Sequence, residues 1–154
     1  LFGTAVAVVP EDFHRVVAVA AVLLILHGWW WRGFAAVSFD PDGARVRGLP
    51  ARGLDVLLFA PLAVAVSVTT RVIGALPTFA FSVLPAVAAL RLAPNVPTAL
   101  MLAGVVGAGT GFAGYVLAFL WELPVGATQT LLGVAVAAVA AALGAVLRRL
   151  TGAG

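Results

Sequence analysis

The sequence predicts an all-α polytopic membrane protein with about five transmembrane helices and a short leading half-helix. Hydrophobic residues occupy 63% of the 154 positions and charged residues only 10%, whereas soluble domains average about 25% charged residues. A soluble domain of this length could not bury so much apolar surface. Polar interruptions also divide the chain into apolar segments that are long enough to cross a hydrocarbon core of about 30 Å.

Five apolar segments are predicted to cross the membrane, with short polar or proline-containing stretches between them. The preceding segment, Leu1 to Val9, is too short to span the hydrocarbon core as a helix, so we expect a half-helix that ends at Pro10. Because the chain begins with Leu rather than Met, we also expect that an N-terminal part is missing. The predicted spans are 13–31, 53–70, 74–90, 98–120 and 125–147.

Residues 38–52 form the main segment of this sequence that must be exposed to water. Two of the six acidic residues and three of the nine basic residues lie here, so the segment cannot lie in hydrocarbon. Asp40 followed by Pro41 predicts a helix start, with Asp as the N-cap and Pro at the first helical position. Gly48 followed by Leu49 and Pro50 predicts that this helix ends after about two turns. A short capped helix between two spans is a structure that a soluble partner can bind.

The arginine distribution predicts the orientation of the spans. All nine basic residues are Arg, and only Arg15 and Arg71 fall on one side of the predicted membrane. Since short loops with an excess of basic residues stay cytoplasmic, residues 38–52 are predicted to be cytoplasmic and Glu122 to lie outside. The arginines are scattered singly, which excludes a nucleic-acid-binding patch and leaves the lipid bilayer as the expected surrounding. The seven arginines assigned to the cytoplasmic side are Arg32, Arg45, Arg47, Arg52, Arg91, Arg148 and Arg149.

Small residues and prolines predict how the spans pack. Four glycines of the fourth span recur at intervals of three, four and three residues, which places them on one helix face where another backbone can approach closely. Two roles are possible for this face: it packs statically against another helix, or it allows the fourth span to slide or pack along a conduction path. Prolines within the spans predict helix kinks. The glycines are Gly104, Gly107, Gly111 and Gly114, and the prolines are Pro61, Pro77 and Pro85.

Metal-ligating residues are sparse. His14 lies near Glu11 and Asp12, a combination that can hold a divalent cation, but the spacing does not put all three on one helix face. A solvated helix start is the alternative interpretation of His14. His27 lies inside an apolar run, where it is either a functional intramembrane group or an interface residue beside Trp29 and Arg32. The sequence contains no Cys, so thiolate ligands are excluded.

The sequence contains no Walker loop, nucleophile elbow or paired catalytic carboxylates. We therefore expect no catalysis and no cofactor on this chain, and if ATP drives its function, another subunit binds the ATP. Arg52 and Asp55 are close enough in sequence for a local ion pair.

The order of motifs resembles the C-terminal portion of the permease subunit of bacterial zinc/manganese ABC importers. The resemblance runs through Leu1-Phe2-Gly3, V-P-E-D at 9–12, S-F-D-P-D-G-A-R-V-R-G-L-P at 38–50, V-L-P-A-V-A-A-L at 83–90 and W-E-L-P-V-G-A-T at 121–128. The family's Leu-Pro-Ala-Ala-Thr-Ala pattern corresponds here to Leu-Pro-Ala-Val-Ala-Ala at 84–89, which includes Val87 and lacks the polar group of the threonine. The family's permeases are longer, so the resemblance implies additional N-terminal spans.

The resemblance implies a single permease domain over 1–154, with a cytoplasmic coupling segment at 38–52, in a bacterial plasma membrane. It further implies an ABC ATPase subunit as partner, a second permease copy in a homodimer, and an extracytoplasmic metal-binding protein. In the family, the segment matching 39–49 is the coupling helix that docks on the ATPase. The residues expected to bind the ATPase are Phe39, Asp40, Ala44, Arg45, Gly48 and Leu49.

Two other functions compete with this one. An ATP-independent channel or secondary carrier should place charged or strongly polar residues inside its spans, and the span centres here are almost without them. A scaffold membrane protein without a transport role is the second alternative. The sequence does not distinguish zinc from manganese, since it contains no ligand set.

Overall fold

The computed structural model describes residues 10–150, apart from the side chains of Arg148 and Leu150, and this part of the chain contains six helices and no strand. Five of the helices are long and apolar enough to cross a membrane, which confirms the predicted fold class. The half-helix predicted over 1–9 lies outside the described residues. The helices are α1 (Pro10–Phe39), α2 (Pro41–Val46), α3 (Ala51–Ile73), α4 (Ala75–Leu92), α5 (Val96–Leu120) and α6 (Val125–Leu150).

Helix α1 is longer than the sequence predicted. It has 30 residues, or about 45 Å at 1.5 Å per residue, and continues for eight residues beyond the predicted end at Trp31. The prediction of that end was wrong because Phe34 and Val37, at 5% and 2% exposure, pack against later parts of the chain and stabilise the additional turns. Within this helix, the Arg32 guanidinium lies over the Trp31 ring, 5.4 Å from its centre.

Helices α1–α3 and helices α4–α6 form two compact units, and the division falls between Val72 and Ile73. In the first unit, the buried residues form one cluster at the end of α1, in α2 and at the start of α3. In the second unit, α4, α5 and α6 all contact one another, and α4 contacts α6 most extensively.

The contact between α4 and α6 depends on a row of small residues along α6. A Cβ atom added at Gly126 would lie 2.8 Å from the Pro77 ring, and one added at Gly133 would lie 3.0 Å from Leu84. At Gly144 it would lie 2.6 Å from the carbonyl oxygen of Arg91. Between these glycines, Ala137 and Ala140 pack with Ala88 in a buried cluster. The absence of larger side chains allows the two helices to pack backbone to backbone.

Three of the four glycines predicted to form a packing face on α5 lie against neighbouring helices. A Cβ at Gly107 would contact Pro85 at 3.5 Å, one at Gly111 would contact Phe81 at 3.5 Å, and one at Gly114 would lie 2.8 Å from Gln129. Gly104 has no atom within 4 Å of such a Cβ. The Gln129 side chain also donates from Nε2 to the Gly111 carbonyl oxygen at 3.0 Å, which joins α5 and α6.

The three prolines occupy different helical positions. Pro61 and Pro85 lie inside α3 and α4, and kinks at these two sites stay predictions. Pro77 lies in the first turn of α4, as its third residue. Because the first N–H groups of a helix have no intrahelical acceptor, Pro77 removes no hydrogen bond and does not have the position that a kink requires.

Candidate partner-docking surface

Helix α2 is fixed at its start by the predicted N-cap. The Asp40 carboxylate accepts a hydrogen bond from the Gly43 backbone N–H at 2.9 Å, and Pro41 occupies the first turn. A Cβ at position 43 would collide with the Asp40 carboxylate, so glycine allows the cap to close. The predicted helix start is confirmed, and it follows from the local chemistry of these residues.

Helix α2 ends in a Schellman motif, with two backbone hydrogen bonds that satisfy its last carbonyl groups. Gly48 donates its N–H to the Arg45 carbonyl oxygen at 2.9 Å, and Leu49 donates to the Ala44 carbonyl oxygen at 3.0 Å. Gly48 has a φ of +80°, a conformation that glycine adopts without the steric cost that a Cβ brings. The predicted end of the helix at Gly48 is therefore correct.

The inner face of α2 packs against its own unit. Ala44 is 1% exposed and lies in the cluster with Phe34, Val37 and Leu54, and Leu49 packs against the same cluster. Ala44 was expected to bind an ATPase. The structure instead gives a reason within the protein for its small size, because a larger side chain would push α2 away from α1 and α3. In this conformation, Ala44 is not available to a partner.

The surface around α2 combines charge with exposed apolar side chains. Phe39, the last residue of α1, is 78% exposed and Val46, the last residue of α2, is 90% exposed, although each large apolar group gains free energy when it leaves water. Between them in sequence, Arg45 Nη1 lies 2.8 Å from the Asp42 carboxylate. Since both ends of this ion pair are largely exposed, it contributes little to stability and its groups can exchange partners.

A cavity of about 480 Å³ adjoins α2 at the start of α3. The predicted ion pair between Arg52 and Asp55 is not formed in the described structure, where the ion pair of this segment joins Arg45 to Asp42. The prediction was wrong, although the residues of both pairs are three positions apart. The cavity is lined by Arg45, Pro50, Ala51, Arg52 and Gly53.

We use the name docking surface for the exposed side chains Phe39, Asp42, Arg45 and Val46. Of the six residues that were expected to bind an ATPase, Phe39, Asp40, Arg45 and Gly48 are exposed, and Ala44 and Leu49 turn inward. Sequence reasoning missed Val46, the most exposed large apolar side chain of the described residues. The sequence does contain a signal for this exposure, because Val46 lies between two arginines in a polar segment and is not part of a transmembrane span.

The two histidines do not join a metal site in the described structure. His14 Nδ1 lies 2.6 Å from the Pro10 carbonyl oxygen, and Arg15 pairs with Asp12 at 3.2 Å and Glu11 at 3.9 Å. Among residues 10–150, no three His, Asp or Glu side chains come together to hold a metal ion. A solvated helix start therefore describes the surroundings of His14.

His27 packs within its own helix. Its Nδ1 lies 2.9 Å from the Leu23 carbonyl oxygen, and since a carbonyl only accepts, Nδ1 carries the hydrogen. Its ring lies 5.2 Å from that of Phe34. These contacts favour the interpretation of His27 as a packing residue near the interface.

Known proteins with a related sequence are membrane components of metal transport systems. The chain is 30% identical over 117 residues to the manganese transport system membrane protein MntC of Bacillus subtilis, covering 76% of this chain and 27% of that protein. It is 27% identical over 117 residues to the zinc transport system membrane protein TroC of Treponema pallidum, covering 76% of this chain and 39% of that protein.

The fold matches a solved structure, PsaBC from Streptococcus pneumoniae in complex with Fab, with a TM-score of 0.84 at 24% sequence identity. That match covers 91% of this chain and 50% of the solved chain. The present chain thus spans half or less of each of these three proteins. Its sequence matches the ABC 3 transport family over residues 1–145. Together with five apolar helices of membrane-spanning length, this match establishes that the chain is a multi-pass membrane protein that belongs to the ABC 3 transport family.

Proposed function

We propose that this chain is part of the membrane-spanning permease subunit of an ATP-binding-cassette importer for a divalent transition metal, zinc or manganese. The observation that carries the proposal is the docking surface, in which two exposed apolar side chains, Phe39 at the end of α1 and Val46 on the capped helix α2, accompany the Asp42–Arg45 pair. Membership of a transport family and the manganese and zinc systems of the relatives support it.

In this proposal, α2 binds a separate ATPase subunit on the cytoplasmic side, and ATP is bound and hydrolysed there. Exposed apolar and arginine side chains are typical of residues that contribute strongly to protein interfaces. The chain itself performs no catalysis. Its role is to convert the movement of the ATPase into movement of the spans.

The remaining parts of the transporter are supplied by other chains or copies. A second copy of the permease completes the pathway, and an extracytoplasmic metal-binding protein delivers the ion. The metal is the transported substrate. The alternatives are an ATP-independent channel or secondary carrier, and a scaffold without a transport role.

The test is co-purification of the ATPase with the full-length chain, together with growth under metal limitation. We expect Val46→Asp to weaken ATPase binding by about tenfold or more, because a charge then replaces an apolar contact in the interface. Val46→Thr preserves the shape of the side chain and serves as the matched control. Phe39→Ala should also weaken binding. Ala44→Glu is unsuitable for this purpose, since it places a charge inside the protein's own core.

The three candidate functions give different results. The importer predicts that the ATPase co-purifies with the wild type and that Val46→Asp loses both the ATPase and growth at low metal. A channel or carrier predicts metal-dependent growth without an associated ATPase. A scaffold predicts that deletion of the protein leaves metal uptake unchanged.

A further inference from the structure

The membrane-spanning parts of α1 and α3 leave an apolar groove between them. The windows of these two helices that are suited to cross the membrane have 0% of their residues buried inside the structure, so neither span buries the other. The groove has a volume of about 320 Å³. Its lining side chains are all apolar, so they offer a bound molecule dispersion contacts rather than hydrogen bonds. They are Ala18, Val19, Val22 and Leu23 of α1, and Pro61 and Val64 of α3.

Positive charge surrounds the cavity at the start of α3. Arg45 and Arg52 both line it, and Arg52 is exposed and forms no ion pair among residues 10–150. Arg45 pairs with Asp42, but both side chains are largely exposed, so this pair is weak and can open for another anion. Guanidinium groups bind phosphate through parallel N–H donors. The cavity of about 480 Å³ therefore has the charge and the room for a phosphate group.

The cavity and the groove lie along the same face of α3. Gly53 lines the cavity and Val64 lines the groove, and the two residues are eleven positions apart in one helix. Eleven residues make about three full turns at 3.6 residues per turn, so both positions face the same direction. Their separation along the helix axis is about 16 Å at 1.5 Å per residue, close to half of the hydrocarbon thickness of about 30 Å. The groove therefore lies at the depth that an acyl chain reaches when the phosphate of the same lipid is at the cavity.

We propose that helices α1–α3 bind one anionic phospholipid, with its phosphate beside Arg45 and Arg52 and one acyl chain in the groove. A free phosphate ion would occupy only the cavity, and another helix would occupy only the groove. A phospholipid carries both groups in one molecule, at the separation that the structure provides. An anionic head group is favoured because a zwitterionic one would bring its own cation close to the two guanidinium groups.

This inference goes beyond the proposed function, because lipid binding requires neither the ATPase nor the metal. Basic cavities beside membrane-spanning helices are suited to phospholipid head groups. Since Arg45 also belongs to the docking surface, its replacement would affect two proposed sites at once. Arg52 lies outside the docking surface and lines the cavity, so its replacement tests lipid binding alone.

The test is photolabelling of the full-length chain in phosphatidylcholine vesicles that contain a trace of phosphatidylglycerol with a photoreactive group midway along one acyl chain. We expect mass spectrometry to find the label in residues 18–23 and 61–64. An excess of unlabelled phosphatidylglycerol should remove this label, whereas inorganic phosphate or additional phosphatidylcholine should not. Removal by inorganic phosphate would indicate a site for free phosphate, and equal removal by phosphatidylcholine would indicate ordinary lipid solvation of the spans. Either result would overturn the proposal, as would an unlabelled groove that another helix covers.

The head-group part of the site is tested at Arg52. At a sub-saturating lipid concentration, Arg52→Gln should reduce the labelling about fivefold, the contribution of one arginine to the attraction of an anionic lipid. Arg52→Lys keeps the charge and should retain most of the labelling. Arg47→Gln is the matched control, because it removes the same charge from an exposed position of the same segment that does not line the cavity. Equal losses in Arg52→Gln and Arg47→Gln would mean that only diffuse attraction to the arginines acts, and the proposed site would be wrong.

The acyl-chain part of the site is tested at Ala18. In Ala18→Phe, the larger apolar side chain fills the space that the acyl chain needs, so the label at 61–64 should be lost. The span remains apolar and therefore still inserts into the membrane. Ala20→Phe is the matched control, since Ala20 is an exposed alanine of the same helix that does not line the groove. If Ala18→Phe retains as much label at 61–64 as Ala20→Phe, the acyl chain does not occupy the groove and the proposal fails.

Discussion

Replacing Gly114 with alanine tests the close packing of α5 against α6. A Cβ at this position would lie 2.8 Å from both Cα and Cγ of Gln129, whereas carbon atoms in good contact are about 3.5–4.0 Å apart. Because one of these atoms belongs to the backbone, a change of side-chain rotamer cannot relieve the overlap. The two helices must separate locally by about 1 Å.

The size of the effect follows from three contributions. Overpacking of a well-packed site costs about 1–3 kcal/mol. Separation of the helices also weakens the hydrogen bond from Gln129 to the Gly111 carbonyl, and such interhelical bonds contribute about 0.6 kcal/mol on average in membranes. Alanine in place of glycine returns up to about 1 kcal/mol through its helix propensity. We therefore expect Gly114→Ala to lower the free energy of unfolding by about 1–2.5 kcal/mol.

Gly104→Ala is the matched control on the same helix. No atom lies within 4 Å of a Cβ at Gly104, so this variant should be neutral or stabilised by up to about 1 kcal/mol. The assay is reversible unfolding of the full-length chain in detergent micelles, followed by circular dichroism during titration with a denaturing detergent. If both variants unfold at the same midpoint, the packing of α5 on α6 is not limited by Gly114 and the reasoning is refuted.

Three other predictions concern the segment around α2 and the orientation of the spans. Gly48→Ala should lower the free energy of unfolding by about 1–2 kcal/mol, because a Cβ is unfavourable in the left-handed region. Gly53→Ala is the control, since Gly53 occupies a helical position without this φ, and it should not lower the free energy of unfolding. Equal melting temperatures of the two variants would contradict this prediction. Asp40→Ala should speed amide hydrogen exchange at Gly43 about fivefold through loss of the N-cap, and Asp40→Asn, which retains an acceptor, should not. Cysteines introduced at Arg45, Arg91 and Arg148 should react with reagents only from the cytoplasmic side, and one at Glu122 only from outside; external labelling at position 45 would reverse the orientation.

The features that sequence reasoning predicted correctly depend on neighbouring residues. The start of α2 at Asp40 and Pro41 and its end at Gly48 each follow from a backbone group that must find a partner within four residues. The spans followed from their length and hydropathy. In each case the physical cause lies within the segment itself, so the sequence contains the information that the prediction needs.

The errors arose where the cause lies elsewhere in the chain. Helix α1 passes Trp31 because Phe34 and Val37 pack with Leu54, which is 17 or more residues away. The inward direction of Ala44 and the outward direction of Val46 depend on which face of a two-turn helix meets this cluster. Within so short a helix, hydrophobic periodicity cannot determine that face.

The row of small residues on α6 was missed, although its spacing is visible in the sequence. Gly126, Gly133, Ala137, Ala140 and Gly144 recur at intervals of seven, four, three and four residues, a pattern as regular as the one recognised on α5. Alanine is so common in this sequence that its spacing alone does not mark a packing face. The structure shows that in such a chain alanine and glycine belong to the same packing pattern, because both let α6 approach α4.

The two units differ in what holds them together. In hydrocarbon, apolar side chains gain nothing by leaving lipid, so helices associate through close backbone contact and hydrogen bonds. Helices α4–α6 have both, in the glycines of α5 and α6 and in the bond from Gln129. Helices α1–α3 instead concentrate their buried residues in one cluster, formed by Phe34, Val37, Ala44, Ala51 and Leu54, next to the arginine-rich segment. The two units therefore depend on different interactions: close backbone contact in α4–α6, and side-chain burial beside a water-exposed segment in α1–α3.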